Sequence, residues 1–284
     1  MKRLCCVVCT AAVFGLVIGG VGMSADEKKA TKFARFQVGD TIAYGVVESD
    51  SIRQISGDLF GAWQKTDKTH RIAAVKLLAP TKPSQVLAMA GNYRSHIKDA
   101  AIPEKFQIPQ VFFKSPSCLI ANGESIVIPK GAEDVHFEAE LVIVIGKKAK
   151  NVAKDKALDY VFGVTCGNDV SARDWQKNDV QWWRAKGSDT FGPCGPFIVT
   201  GVNYDDLLVQ LRLNGEVKQK QSSKDLIHNI STMVSVISHH VTLHPGDLIY
   251  TGTPGETSAI KPGDVVEVDI ENIGVLRNPV TAAK

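Results

Sequence analysis

Three carboxylates carry most of the chemistry this sequence could do. Glu138 and Glu140 stand two residues apart in His136-Phe137-Glu138-Ala139-Glu140, directly ahead of the apolar run Leu141-Val142-Ile143-Val144-Ile145. That run, rich in β-branched residues and stopped by Gly146, predicts a strand. Residues two apart on a strand share a face, so the two glutamates project the same way, about 7 Å apart along the strand. By itself such a pair reads as two solvated glutamates on an edge strand. A second predicted strand, Val161 to Gly167, changes the reading, because it runs straight into Asn168-Asp169. Ser171 is placed to cap a following helix. Carboxylates converging beside a core repel one another unless something neutralises them. A divalent cation does so, and hard oxygen ligands favour magnesium, manganese or calcium. Glu138, Glu140 and Asp169 would form an open oxygen site, with positions left for water and substrate.

A second constellation lies near Gly91-Asn92-Tyr93-Arg94-Ser95-His96. If the following residues are helical, His96 and Asp99 are three apart and share a face. A carboxylate beside an imidazole fixes its tautomer and raises its basicity. On a polar helix the plain alternative is a surface pair. Lys186, in Lys186-Gly187-Ser188-Asp189-Thr190, would ordinarily be an exposed lysine, and Arg173 could be a structural ion pair with Asp174 or a nearby acid. Tyr250-Thr251-Gly252-Thr253-Pro254 reads as a strand running into a glycine turn, which exposes backbone N–H groups and a hydroxyl to an anion.

These motifs together resemble the fumarylacetoacetate hydrolase superfamily: His-x-Glu-x-Glu, Asn168-Asp169-Val170-Ser171-Ala172-Arg173-Asp174, Lys186 to Pro193, Thr251-Gly252-Thr253-Pro254, and Gly91 to His96. They occur in the right order across roughly residues 85 to 280. The resemblance implies a rolled mixed β-sheet domain, usually a homodimer. It implies magnesium, with manganese or calcium as alternatives, on Glu138, Glu140 and Asp169. His96 and Asp99 match a water-activating dyad, with Asp99 where relatives commonly have Glu. Lys186 matches a cation that neutralises developing enolate charge. Arg173 and Gln176 fall where relatives contact the substrate's carboxylate, and Thr253 is a further substrate contact. The implied substrate is a small 2-oxo acid or 1,3-dicarbonyl dicarboxylate from aromatic catabolism. The reaction would be acylpyruvate-type C–C hydrolysis or 2-hydroxyhepta-2,4-diene-1,7-dioate-type isomerisation. The alternatives are an oxaloacetate-type decarboxylase, or an exported binding protein that keeps the pocket without turnover.

The elements that must position these residues are mostly short strands, which makes the fold class mixed and β-rich. Strands are predicted at Val86 to Ala90, Val111 to Lys114, Ile126 to Ile128, Phe197 to Thr200, Val209 to Leu213 and Val265 to Ile270. Asn214-Gly215 signals a hairpin. Short helices are predicted at Ala153 to Tyr160 and near Leu59 to Trp63, and a longer amphipathic one at Leu226 to His240. The polar residues 101 to 110 have the character of a lid. The tryptophans of Trp175 to Trp183 read as packing. Residues 33 to 80 read as a small separate β-rich unit of structural role, with Pro80 and Pro83 marking a linker.

The chain has 284 residues, 44% hydrophobic and 22% charged, with a net charge of +3. That is ordinary globular composition; neither a basic patch nor a charge block stands out, and nothing argues for nucleic acid as a partner. Lys2 and Arg3 precede an apolar run to about Val21, and Met23-Ser24-Ala25 leads into Asp26. Residues 1–25 therefore read as a signal peptide, giving an exported, periplasmic or secreted protein with no stable membrane contact after cleavage. An uncleaved anchor is the alternative. Cleavage would leave 284 − 25 = 259 residues at a net charge of 3 − 2 = +1. Cys118, Cys166 and Cys194 are too few and too widely spaced for a disulfide framework, and no Cys-x-x-Cys pair suggests zinc.

Overall fold

The computed structural model describes residues 30–97 and 101–284, together with Met1. All of the leader read in residues 1–25 except Met1, and the acid of the dyad, Asp99, lie outside the described residues.

The strand Ala139–Ile145 sits inside a twelve-stranded mixed sheet. It pairs antiparallel with Val161–Asn168 on one side and Leu248–Tyr250 on the other. Interior position explains its composition. A strand covered on both faces needs apolar residues at every position, not at alternate ones. Leu141, Ile143 and Ile145 pack into a core with Val209, Leu211, Val268 and Met233. Val142 and Val144 face a second core with Phe33, Val46, Ile198 and Tyr250. The edge-strand reading of Glu-x-Glu is thereby overturned.

Beyond Leu248–Tyr250 the sheet continues through Val86–Ala90 to Gln110–Lys114, its last strand. In the other direction it runs through Gly192–Thr200 and Thr31–Val38 to Thr41–Glu48, Ser51–Gly57 and Trp63–Arg71. Thr31–Val38 pairs directly with Gly192–Thr200, so the N-terminal strands extend the same sheet. A five-stranded sheet packs against it, in the order Glu216–Ser222, Leu208–Leu213, Val265–Ile270, Gly274–Ala282, Ile126–Ile128. The Asn214-Gly215 hairpin forms as predicted, with φ of 53° and 85°.

Several sequence expectations are corrected. Residues 59–62 form turns and Trp63 begins a strand, so no helix spans Leu59 to Trp63. Lys154–Tyr160 is a 3₁₀ helix. The long helix is Ile230–His240, capped by the Asn229 side chain accepting from the Thr232 N–H. It starts later than predicted because Leu226 to His228 are used otherwise. Ile227 N–H and His228 N–H bond the backbone and side-chain oxygens of Asn92. Ser171 caps nothing. It pairs in a short ladder with His136, and its hydroxyl donates to the Asp169 carbonyl. Cys118, Cys166 and Cys194 are free and buried, in keeping with small core residues.

Candidate active site

Strand register puts the three carboxylates together. Ala139 lies opposite Asn168 and Glu140 opposite Gly167, so the chain leaving the second strand brings Asp169 beside Glu138. Two further bonds close the corner. Asp169 N–H donates to the Glu138 carbonyl at 2.9 Å, and Glu138 N–H to Asn168 Oδ1 at 2.9 Å. Gly167 is required for this approach, since a Cβ there would lie 2.4 Å from Val142 Cγ2 and 2.6 Å from the Tyr250 ring. One oxygen each of Glu138, Glu140 and Asp169 fall within 4.8 Å of one another, all three residues being buried.

Two lysines and an arginine surround them. Lys186, near the end of the short helix Trp183–Gly187, is buried and not exposed. Its Nζ lies 2.7 Å from Glu138 Oε2 and 2.7 Å from Asp169 Oδ2. Lys114 enters from the edge strand Gln110–Lys114 and places Nζ 2.6 Å from Asp169 Oδ1. Its remaining protons go to the backbone carbonyls of Lys186 and Phe191. Arg173 Nη2 meets Glu138 Oε1 at 2.5 Å and Thr257 Oγ1 at 3.0 Å, and Nη1 donates to Gln176 Oε1 at 2.7 Å. Arg173 is thus ion-paired with Glu138, not with Asp174.

Glu140 is the exception. Its Oε2 accepts from Gly252 N–H at 2.7 Å, but its Oε1 is buried with no hydrogen-bond partner. Gly252 donates from a backbone at φ 101°, and a Cβ there would strike Asn92 at 2.8 Å. The carboxyls titrate accordingly. Burial pushes Glu140 well above the ordinary carboxylate range, and the charges of Asp169 and Glu138 push it further. Burial acts on Glu138 in the same sense, but the Lys186 and Arg173 cations outweigh it and hold that carboxyl below the ordinary range. A buried, unpartnered carboxylate oxygen converging with two others is what a hard divalent cation would complete. The three residues fit such an ion.

A pocket of about 460 Å³ opens beside these groups. Glu138, Arg173, Gln176, Lys186, Thr253 and His96 all line it. The described sequence-predicted site residues are therefore brought to one place. His96 lies on the short helix Arg94–Ile97, which is clamped to the turn after Thr253. His96 Nδ1 is 2.7 Å from the Gly255 carbonyl, and Gly255 N–H donates to Ser95 Oγ at 2.9 Å. A carbonyl can only accept, so Nδ1 carries a proton and the neutral ring keeps its lone pair on Nε2.

Sequence reasoning missed several contributors. Lys114 is one of them. In Val111-Phe112-Phe113-Lys114, Phe112 and Lys114 alternate inward, while Val111 and Phe113 stay exposed. Trp182 also lines the pocket, edge-on to Phe112 at 5.2 Å between centroids, whereas its neighbour Trp183 is exposed. Phe106 and Lys105, from the polar segment 101 to 110, contribute to the wall. Phe106 packs its ring against Gly91, and its carbonyl meets His228 Nε2 at 2.9 Å. Gln219 and Thr257 sit behind Thr253 and Arg173, with nothing in the local sequence to mark them.

A buried acidic triad that could hold a divalent cation, two buried lysines and a pocket lined by basic side chains make up a candidate enzyme site on a mixed β-fold. The fumarylacetoacetate hydrolase C-terminal family model matches residues 85–281, and an Rv2993c-like N-terminal model matches residues 31–80. The chain belongs to the fumarylacetoacetate hydrolase family. It is 39% identical to 5-carboxymethyl-2-hydroxymuconate delta-isomerase from Mycobacterium smegmatis, with a TM-score of 0.83 over 89% of this chain and 100% of that one. It is 37% identical to the mitochondrial oxaloacetate tautomerase fahd2 of Xenopus laevis, over 72% of this chain and 68% of the relative. It also resembles maleylpyruvate hydrolase from Sphingobium sp. SYK-6 in complex with manganese(II) ion and pyruvate. That match is 27% identical with a TM-score of 0.73, over 89% of this chain and 100% of that one.

Proposed function

We propose that the protein is a divalent-metal-dependent enzyme that works through the enolate of a small 2-oxo dicarboxylate. The observation that supports this most directly is Glu140 Oε1, unpartnered within a buried triad that adjoins a pocket lined by Lys105, Arg173 and Lys186. Glu138, Glu140 and Asp169 would hold the ion, magnesium or manganese. It would supply Lewis-acid stabilisation of the enolate.

The chain's own groups divide the remaining work. Arg173, oriented by Glu138 and Gln176, presents its guanidinium to a substrate carboxylate. Lys186 adds a buried cation where negative charge develops. His96 Nε2 takes or returns a proton, in a ring aimed by the Gly255 carbonyl. Phe112, Trp182 and Phe106 limit water at the pocket wall.

Isomerisation of the enol–keto type is the first reading. It needs one proton-carrying group, which His96 provides, and the two relatives at 37% and 39% identity are named a tautomerase and an isomerase. C–C hydrolysis is the second. The same histidine can activate water, and the 27% identical structure is a hydrolase. The leader read in residues 1–25 adds export as a further proposal, and a homodimer remains the proposed assembly.

The test is a screen of 2-oxo dicarboxylates and acylpyruvates with Mg²⁺ or Mn²⁺, with products identified by NMR. Metal-dependent turnover with proton exchange at the carbon next to the ketone is expected. Turnover that persists unchanged in EDTA would sink the reading.

A further inference from the structure

We infer that Gln219 is a positioning residue that fixes the Thr253 hydroxyl as a hydrogen-bond donor to an anionic oxygen of the substrate. The inference rests on the reading of the pocket as a site for 2-oxo acids.

Gln219 lies on Glu216–Ser222 of the five-stranded sheet, in a stretch whose other residues are exposed or only partly buried. Leu211 pairs with Gln219 and Arg212 with Val217, so Lys218 is an extra residue, a β-bulge. Bulges re-aim side chains next to functional sites. Gln219 is only 3% exposed.

Its amide is fully committed. Oε1 accepts from Ala139 N–H at 3.0 Å, while Nε2 donates to the Pro254 carbonyl at 2.5 Å and to Thr253 Oγ1 at 2.9 Å. A backbone N–H can only donate and a carbonyl can only accept. The first two bonds therefore fix which end of the amide is nitrogen. It follows that Thr253 Oγ1 accepts a hydrogen bond from Gln219 Nε2. The hydroxyl's own proton is then free to donate, and Thr253 lines the pocket.

The same amide ties two parts of the site together. Ala139 is the residue between Glu138 and Glu140, and Thr253-Pro254 lies between Gly252, which bonds Glu140, and Gly255, which bonds His96. A hydroxyl held as a donor favours a carboxylate or enolate oxygen and disfavours a substrate group that itself donates. Gln219 thus acts on selectivity through Thr253 without touching substrate.

The experiment uses oxalate, an oxygen-only mimic of a 2-oxo acid, with Mn²⁺ and the full chain, and reads affinity by calorimetry. Gln219→Glu keeps the shape but replaces the donor with an acceptor, which draws the Thr253 proton away from the pocket. Oxalate affinity should fall roughly ten- to a hundredfold, the scale of a hydrogen bond to a charged group. Mn²⁺ affinity should hold within about threefold, a small change on the scale of binding free energies. In a Thr253→Val background, Gln219→Glu should cost almost nothing more. Additive losses would overturn the inference, because Gln219 would then act through the fold. A second measurement does not depend on that variant folding. Oxamate replaces one acceptor oxygen with a donor NH₂. Wild type and Thr253→Ser should prefer oxalate to oxamate, and Thr253→Val should lose much of that preference. An unchanged preference in Thr253→Val would overturn the inference by itself. No oxalate binding by the wild type with Mn²⁺ would overturn the 2-oxo-acid reading and this inference with it.

Discussion

Lys114 Nζ lies 2.6 Å from Asp169 Oδ1, and both side chains are sealed from solvent at 0% and 1% exposure. Burial alone would lower the lysine's pKa, but Asp169, with Cys118 and Glu140 beside it, outweighs burial and the net shift is upward. The ammonium therefore stays charged and fixes one oxygen of Asp169. The other oxygen is left to Lys186 and to the triad. Lys114 also bonds the carbonyls of Lys186 and Phe191, so it holds the backbone that carries the second lysine.

Removing it should be costly. Lys114→Met leaves one oxygen of the buried Asp169 carboxylate and two backbone carbonyls without their donor. Breaking a buried pair from one side costs about 3–5 kcal/mol. Urea unfolding should show a loss on that scale, with Mn²⁺ affinity reduced as Asp169 loses its orientation. A change below about 1 kcal/mol, within the range of an exposed ion pair, would mean that the cluster does not depend on Lys114.

Glu140 sets a pH dependence. Its carboxyl is raised above the ordinary value of 4.5, so from about that pH upward the folded chain binds more protons than the unfolded one. This group's contribution to stability therefore falls as pH rises through that window. Glu138 has the opposite sign. Its lowered carboxyl contributes stability above the ordinary range, which is lost as pH falls toward its folded value. A cation must displace the Glu140 proton, so Mn²⁺ binding should release protons and tighten with rising pH. Calorimetry in buffers of different ionisation enthalpy reads this directly. Binding with no proton release anywhere in the window would place Glu140 outside the ligand set.

Glu140→Gln separates metal from fold. The amide keeps an oxygen for the Gly252 N–H and replaces a carboxyl whose ionised form is opposed by burial and by Asp169 and Glu138. Without added metal the melting temperature should hold or rise. The gain on adding Mn²⁺ should be lost, and turnover with it. A variant that still gains stability from Mn²⁺ as the wild type does would refute the assignment.

Much of this site was legible because its chemistry lies in strings. Glu138-Ala139-Glu140 before an apolar run and Asp169 after another predicted a shared corner, and the register of Ala139 against Asn168 produces it. What was not legible depends on which face of a strand a residue takes and on long-range pairing. Lys114 follows three apolar residues whose two faces look alike, and only the edge position of the strand exposes Val111 and Phe113. Gln219 reaches the site through a bulge and a partner 80 residues away. The early start predicted for the Ile230–His240 helix failed for a similar reason. Ile227 continues the helical apolar spacing, but its N–H is taken by Asn92, 135 residues earlier in the chain.

His96 decides between reactions. Its Nδ1 is committed to the Gly255 carbonyl, which leaves Nε2 as the basic nitrogen. Enol–keto isomerisation and attack by water both need a proton moved at that position. Decarboxylation of a 2-oxo acid needs charge stabilisation by the metal site and Lys186, but no such base. His96→Ala should therefore cut isomerisation and any C–C hydrolysis by roughly a hundredfold or more, the scale for losing a general base. Oxaloacetate decarboxylation, where present, should fall far less. Oxalate binding with Mn²⁺ should change little, since Arg173 and the triad remain. Steady-state kinetics of the three reactions on one preparation make the comparison. Equal losses in all three, with weaker oxalate binding, would show that His96 holds the Arg94–Ile97 helix or the substrate and moves no proton.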